Sequence, residues 1–275
     1  MIRSLIVLLC CVSVVSGAVD MIEGTEVTSD TVFMGSSNGT ASVMGQDVVS
    51  GAVAYEIPTD NLFLHYEFDE FTNAAGWHVD SSPRNSSQHY PDVGAKQPTW
   101  TSTCGGGIYG DNGDQSIATT GYGLYPNANT AVTVIVWCKA DVSNQIDAVW
   151  SGSEGYEYML YYTAANAGIL AKVESSAGIA TAWRCGTNII HFAMTWDTVS
   201  DDEKVYTNGS YHTHIAAVSA IVMNTAGGLL NRPAQAWYMQ GYLWEVVVYT
   251  NHACSASEIQ AHFDGTKEDY PPWIP

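Results

Sequence analysis

The chain of 275 residues carries 28 acidic residues against 9 basic ones, a formal charge of −19, and 46% of its residues are hydrophobic. So acidic a chain is repelled by nucleic acid and by anionic lipid, which argues against both as partners. The hydrophobic share suffices for a core, and the length, though above the domain average, fits one large β-sandwich.

Residues 1–18, MIRSLIVLLCCVSVVSGA, combine a basic start at Arg3, an apolar run from Leu5 to Val15 and small residues at Ser16 and Ala18. This pattern reads as a secretory signal peptide and predicts an extracellular or surface location. No later stretch reaches the roughly 18 apolar residues of a membrane-spanning helix, so no transmembrane segment is expected.

Beyond the signal the chain keeps Cys104, Cys138, Cys185 and Cys254. In a secreted protein these predict one or two disulfides, with all three pairings of the four open. None sits in a CxxC spacing, which weakens a cysteine-based zinc site.

Residues 19–60 are rich in Gly, Ser, Thr and Val and poor in large aromatics, with NGT at Asn38–Thr40 placed as a turn between TVFM and ASVM. They are expected to form an N-terminal extension, a hairpin or a stalk, through which oligomers could assemble. From Leu62 onward, runs such as NLFLHYEFD, TAVTVIVWCKAD, EYMLYYTA, GILAKVES, NIIHFAMTWD, KVYTNGSYHTHI and GYLWEVVVYT alternate with Gly, Asn, Asp and Pro clusters. Many short β-branched and aromatic runs with turns between them predict an all-β, two-sheet antiparallel jelly-roll sandwich over residues 61–268. SASEIQAHFDG is the one helical signal: Ser255 caps, Glu258 completes a capping box and Gly265 ends the turn. Residues 269–275 are left as a C-terminal tail.

The order of these segments resembles the LamG-like jelly-roll domains of the concanavalin A-like lectin/glucanase superfamily. The resemblance rests on LHYEFDE followed by VDSSPRN, on AVTVIVWCKAD with Trp137, on the pair IIHFAMTWD and KVYTNGSYH, and on the closing GYLWEVVVYTNHACSASEIQAHFDG. It implies a binding module for carbohydrate or protein, often with calcium. Trp244 stands where that family often carries an Asp before Glu245, so the chain departs from the usual metal set.

Strand alternation places Leu62, Leu64, Tyr66 and Phe68 on one face of the opening strand and Phe63, His65, Glu67 and Asp69 on the other. Laminarinase-type glycosidases of the superfamily carry three acids on alternate positions of one strand. Here those positions are Glu67, Asp69 and Phe71, so the third carboxylate is missing. Glu67 and Asp69 remain candidates for a retaining pair, which needs carboxyl groups about 5–5.5 Å apart. The competing readings are a solvated strand end and a calcium site built from Asp69, Asp80 and Glu245. A noncatalytic role is favoured over an enzymatic one.

Sugar rings stack on aromatic faces, which makes Trp77, Tyr156 and Tyr158, with His65, the candidate ligand-binding residues. Trp100, Trp183 and Trp237 also fall in or near expected loops. His212 and His214 share a strand face in YHTHI, where they read as the polar side of a hairpin strand. Asn38, Asn85 and Asn208 each begin an N-x-Ser/Thr sequon and mark candidate glycosylation sites. These residues describe a secreted noncatalytic module for a glycan or a protein partner. The alternatives are a structural or adhesion component of a surface or virion assembly, and a glycoside hydrolase or lyase using Glu67 and Asp69.

Overall fold

The structure is a computed structural model, and it describes residues 33–35, 40–43, 46–49, 56–68, 98–102, 104, 106–111, 117–118, 130–141, 147–151, 159–162, 169–172, 179–180, 188–216, 228–232 and 237–270. The chain divides into two compact units, Met1–Ala54 and Tyr55–Pro275.

In the first unit, β1 (Phe33–Gly35), β2 (Thr40–Val43) and β3 (Gln46–Val49) form a three-stranded antiparallel sheet in the order β1-β2-β3. The register of β1 and β2 pairs Met34 with Ser42, and the turn expected at Asn38–Gly39 lies outside the described residues.

The second unit is an all-β antiparallel sandwich with one C-terminal helix. Its main sheet draws on β4 (Leu62–Tyr66), β5 (Thr99–Thr101), β6 (Gly107–Asp111), β8 (Ala131–Ala140), β13 (Ile190–Asp197), β14 (Asp202–Thr207), β15 (Ser210–Ala216) and β19 (Gln240–Thr250). The strands run in the order β15-β14-β13-β8-β19-β6-β5, and β4 pairs the far half of β19. The second sheet holds β7 (Ile117–Ala118), β9 (Asp147–Ser151), β10 (Met159–Tyr162), β11 (Ile169–Lys172), β12 (Ile179–Ala180) and β16 (Gly228–Leu229), in the order β12-β11-β10-β9-β16-β7. A small ribbon pairs β17 (Asn231–Arg232) with β18 (Trp237–Tyr238).

Alternation along the central strands fills two cores at once. Val132, Val134, Val136 and Cys138 of β8, Phe192, Met194 and Trp196 of β13, and Val246 and Val248 of β19 meet Val149, Trp150, Ala171 and Leu229 from the second sheet. The intervening residues Ile135, Ala193, Val247 and Tyr249 point the other way and are covered by Ile259 of the helix α1 (Ala256–Thr266). Trp137, Trp244, Phe263 and Tyr270 continue that outer core. Both faces of the central strands are therefore buried, which explains why AVTVIVWCKA reads as a continuous apolar run rather than an alternating one.

Two β-bulges alter the expected facing. On the β4–β19 pair the register slips between Val248 and Tyr249, so Leu62 lies opposite Tyr249 and joins the outer core instead of the face shared by Leu64, Tyr66 and Phe68. On the β19–β8 pair the slip falls between Leu243 and Glu245, which sets Trp244 and Glu245 together on the outer side. The opening strand itself ends at Tyr66, shorter than the LHYEFDEF run, and Phe68 takes a left-handed φ of 54°.

The helix begins as its sequence predicts: Ser255 caps it and Glu258 closes the capping box. It ends one residue later than Gly265 implies. Lys267 N–H reaches Phe263 O, while the Thr266 hydroxyl donates to His262 O and accepts from Trp137 Nε1 at 2.9 Å. Those bonds carry the last turn through the glycine. Among the described residues no helix is long and apolar enough to cross a membrane.

The expected disulfides have no counterpart among the described residues: Cys104, Cys138 and Cys254 are not bonded to one another, and Cys185 lies outside that set. The sheet is the physical reason for one excluded pairing, because Cys138 faces the inter-sheet core and Cys254 the helix side.

Candidate functional site

The outer face of the main sheet carries a chain of polar side chains enclosed by α1. His65 Nε2 lies 3.2 Å from Glu245 Oε1 and 3.5 Å from Glu67 Oε1. His262 Nε2 lies 3.7 Å from Glu245 Oε2, and His262 Nδ1 lies 3.1 Å from His191 Nε2. Glu245 is 2% exposed and His262 1%, so this is an ionisable cluster within the fold. Glu67, at 48% side-chain exposure, is the exposed member of the group.

The local sequence explains how these groups converge. His65 and Glu67 are two apart and share a strand side, Glu245 lies on the same outer side of the adjacent strand as Val247 and Tyr249, and His262 follows Ile259 by three on the buried stripe of α1. Burial holds His191 and His262 below the ordinary imidazole value. For His191 the neighbouring His262 adds to the effect, and for His262 the Glu245 carboxylate opposes it while His65 reinforces it. Neutral imidazoles can relay one hydrogen bond each. One proton is shared between His191 Nε2 and His262 Nδ1, and the other His262 nitrogen, Nε2, faces Glu245 Oε2.

A second cluster lies at the start of α1. His252, Cys254 and Glu258 offer ligand atoms within 4.8 Å of one another. They line a cavity of about 280 Å³ with Asp60, Asn61 and Tyr249. Each member already has a structural task. Glu258 accepts from Ser255 N–H at 2.7 Å and pairs with His252 Nε2 at 2.8 Å, and Cys254 N–H donates to Thr133 Oγ1 at 2.8 Å. Thr133 in turn donates to His252 O, which fastens the loop to β8. Burial pushes the Cys254 thiol up to about 12, so it is no thiolate nucleophile. The cavity is at the small end of ligand pockets, roughly 300–1,000 Å³, and suits a small ion or solvent better than a sugar chain.

The structure distributes the sequence candidates unevenly. His65 and Glu245 come together in the buried chain, with Glu67 at its mouth. Asp69, Asp80, Trp77, Tyr156, Tyr158, Asn38 and Asn85 lie outside the described residues. Asn208 occupies the β14–β15 turn with Gly209, both at positive φ, and its Oδ1 accepts from His191 N–H at 3.1 Å. Trp100 donates to Phe68 O and His214 bonds Tyr211, while His212 is exposed on the edge strand β15. Sequence reading missed His191, His262 and the His252–Glu258 pair. The helical spacing of Ile259, His262, Phe263 and Thr266 was the available signal, because it puts a histidine on the buried face.

Glu203 was also missed. It is fully buried beside Trp196, to which the β13–β14 register pairs it, and neither carboxylate oxygen has a hydrogen-bond partner among the described residues. Burial pushes its pKa up to about 7.

No known family profile matches the sequence, and no curated protein matches it. Solved structures match in fold. The binding domain of botulinum neurotoxin DC, solved with SialylT, aligns with a TM-score of 0.57 at 13% identity over 75% of this chain and 51% of that one. The same toxin's binding domain in complex with rat synaptotagmin II gives 0.56 at 14% identity, over 75% and 52%. Domain 4 of AbnA, an extracellular GH43 arabinanase from Geobacillus stearothermophilus solved with arabinotriose, gives 0.56 at 18% identity, over 73% of this chain and 97% of that domain. The chain spans about half the length of the toxin domains. Likeness at such identities establishes a shared β-sandwich architecture.

Proposed function

We propose that the chain is a secreted, noncatalytic binding module of the LamG-like kind that recognises a glycan. The observation that carries the noncatalytic part is the enclosure of His65 and Glu245 beneath α1, with Glu67 the exposed member of the group. A glycosidase needs two carboxyls accessible to one sugar ring. Here the strand-borne acid at Glu67 is partnered by a histidine and backed by a buried glutamate, which supports a structural use. Glycan recognition draws support from the sandwich fold shared with an arabinotriose-bound domain and a SialylT-bound one.

The helix covers the outer face of the main sheet, so the ligand contacts belong to the second sheet and its loops, where Tyr156 and Tyr158 precede β10 in sequence. A glycan array probed with the purified secreted chain tests the reading. Retention of at least one glycan class, lost on Tyr156→Ala with Tyr158→Ala, is the expected result; no retention on any glycan overturns it.

A protein partner is the second reading. It is favoured by the synaptotagmin-bound neighbour and by the separate three-stranded sheet of residues 33–49, which offers strands for docking into a larger assembly. Deleting residues 19–54 leaves a folded sandwich that no longer assembles if this reading holds.

A further inference from the structure

The group around Glu245 has the spacing of a metal shell. His65 Nε2, a Glu67 oxygen and a Glu245 oxygen all lie within 4.8 Å of one another. The 3.2 Å and 3.5 Å separations from His65 Nε2 to the two glutamates approach the edge of a tetrahedron, about 3.4 Å, around an ion bonded at roughly 2.1 Å. As a hydrogen bond, the longer of the two is at the limit of usefulness.

Charge points the same way. The β4–β19 register pairs Tyr66 with Val246, so the next antiparallel step sets Glu67 against Glu245. Like charges directly opposite each other on neighbouring strands are destabilising, the more so when one of them is buried, unless a cation lies between them. Independently, Glu245 Oε2 is buried and accepts no hydrogen bond among the described residues. A carboxylate so placed is costly without further positive charge.

We propose that His65 Nε2, Glu67 and Glu245 Oε1 bind a divalent ion of the zinc class. His262 is a positioning residue, its Nε2 facing Glu245 Oε2 and so linking α1 to the metal shell. One imidazole and two carboxylates suit a borderline cation, whereas calcium takes an all-oxygen shell of six to eight ligands. The ion joins β4 to β19 and, through His262, fastens the helix.

The test uses the full secreted chain, stripped with a chelator and titrated with zinc chloride, with calcium chloride in parallel. One equivalent of zinc is expected to bind and raise the melting temperature, with no comparable effect of calcium. Glu67→Gln, at the exposed mouth and so compatible with folding, is expected to weaken zinc by about tenfold or more, in line with the loss of a tuned metal contact. Cobalt substitution separates this site from the cluster at the helix start. A cobalt spectrum without thiolate charge transfer, altered by Glu67→Gln, supports the assignment. Absence of saturable zinc binding, zinc binding indifferent to Glu67→Gln, or a thiolate band abolished by Cys254→Ser overturns it.

Discussion

His65 on the opening strand and Glu245 on the closing strand meet at 3.2 Å on the helix-covered face of the sheet. This contact places two of the residues that sequence reading nominates for ligand or metal in the packing layer between β4, β19 and α1. The same layer contains the most exacting contacts of the fold, and several of them can be tested one residue at a time.

Trp137 and Thr266 are the first pair. The buried indole N–H donates to the Thr266 hydroxyl at 2.9 Å, and that hydroxyl donates on to His262 O. Thr266→Val keeps the shape and removes the acceptor, leaving a buried donor unmet. A loss of about 1–3 kcal/mol in urea unfolding is expected; an unchanged midpoint would show that solvent replaces the hydroxyl.

Ser255 and Glu258 hold the helix start. Burial opposes the charge on Glu258, but the backbone and hydroxyl bonds from Ser255 and the His252 contact lower its pKa overall. A carboxylate with a lowered folded pKa adds stability above its unfolded pKa, and that stability is lost as pH falls through the folded value. Ser255→Ala is therefore expected to cost about 0.5–2 kcal/mol at neutral pH, and less in acid, as followed by far-ultraviolet circular dichroism.

Glu203 gives the opposite pH sign. Its folded pKa, raised to about 7 by burial, lies above the unfolded value, so the native state binds the extra proton. Stability contributed by this site is greatest below the unfolded pKa and declines as pH rises toward about 7. Subtracting the Glu203→Gln curve from the parent isolates the group from others that titrate nearby. The variant is expected to gain about 2–3 kcal/mol relative to the parent between pH 5 and pH 8, and a difference curve flat with pH would refute the burial of an uncompensated carboxylate.

Gly107 fixes the Trp244 bulge. A Cβ at this position would lie 2.6 Å from Trp244 Cδ1, and Trp244 stacks on Tyr242 with ring centroids 5.5 Å apart. Gly107→Ala displaces the indole, with an expected cost of about 1–3 kcal/mol and a shift in tryptophan fluorescence.

Much of this fold was legible in the residues. Runs such as IIHFAMTWD and GYLWEVVVYT declared long strands, and Ser255 with Glu258 declared the helix start. The bulges were not legible, because a one-residue slip depends on the partner strand; hence Leu62 leaves the face of Leu64, and Trp244 comes to lie beside Glu245 on the outer side. The site was only half readable for the same reason. His65 and Glu67 are neighbours in sequence, but Glu245 and His262 reach them through a crossover and a packed helix, which no local pattern encodes. The disulfide expectation rested on compartment and count, and it had no knowledge of the sheet that separates Cys138 from Cys254.

The central claim, a glycan-binding sandwich without turnover, is tested most directly by titrating the purified chain calorimetrically with arabinotriose and with a sialylated oligosaccharide at millimolar concentrations, while monitoring release of shorter sugars. Saturable binding to at least one of them, with the sugar recovered intact, is the predicted result. Sugar cleavage abolished by Glu67→Gln, or no binding heat from either ligand, would contradict it.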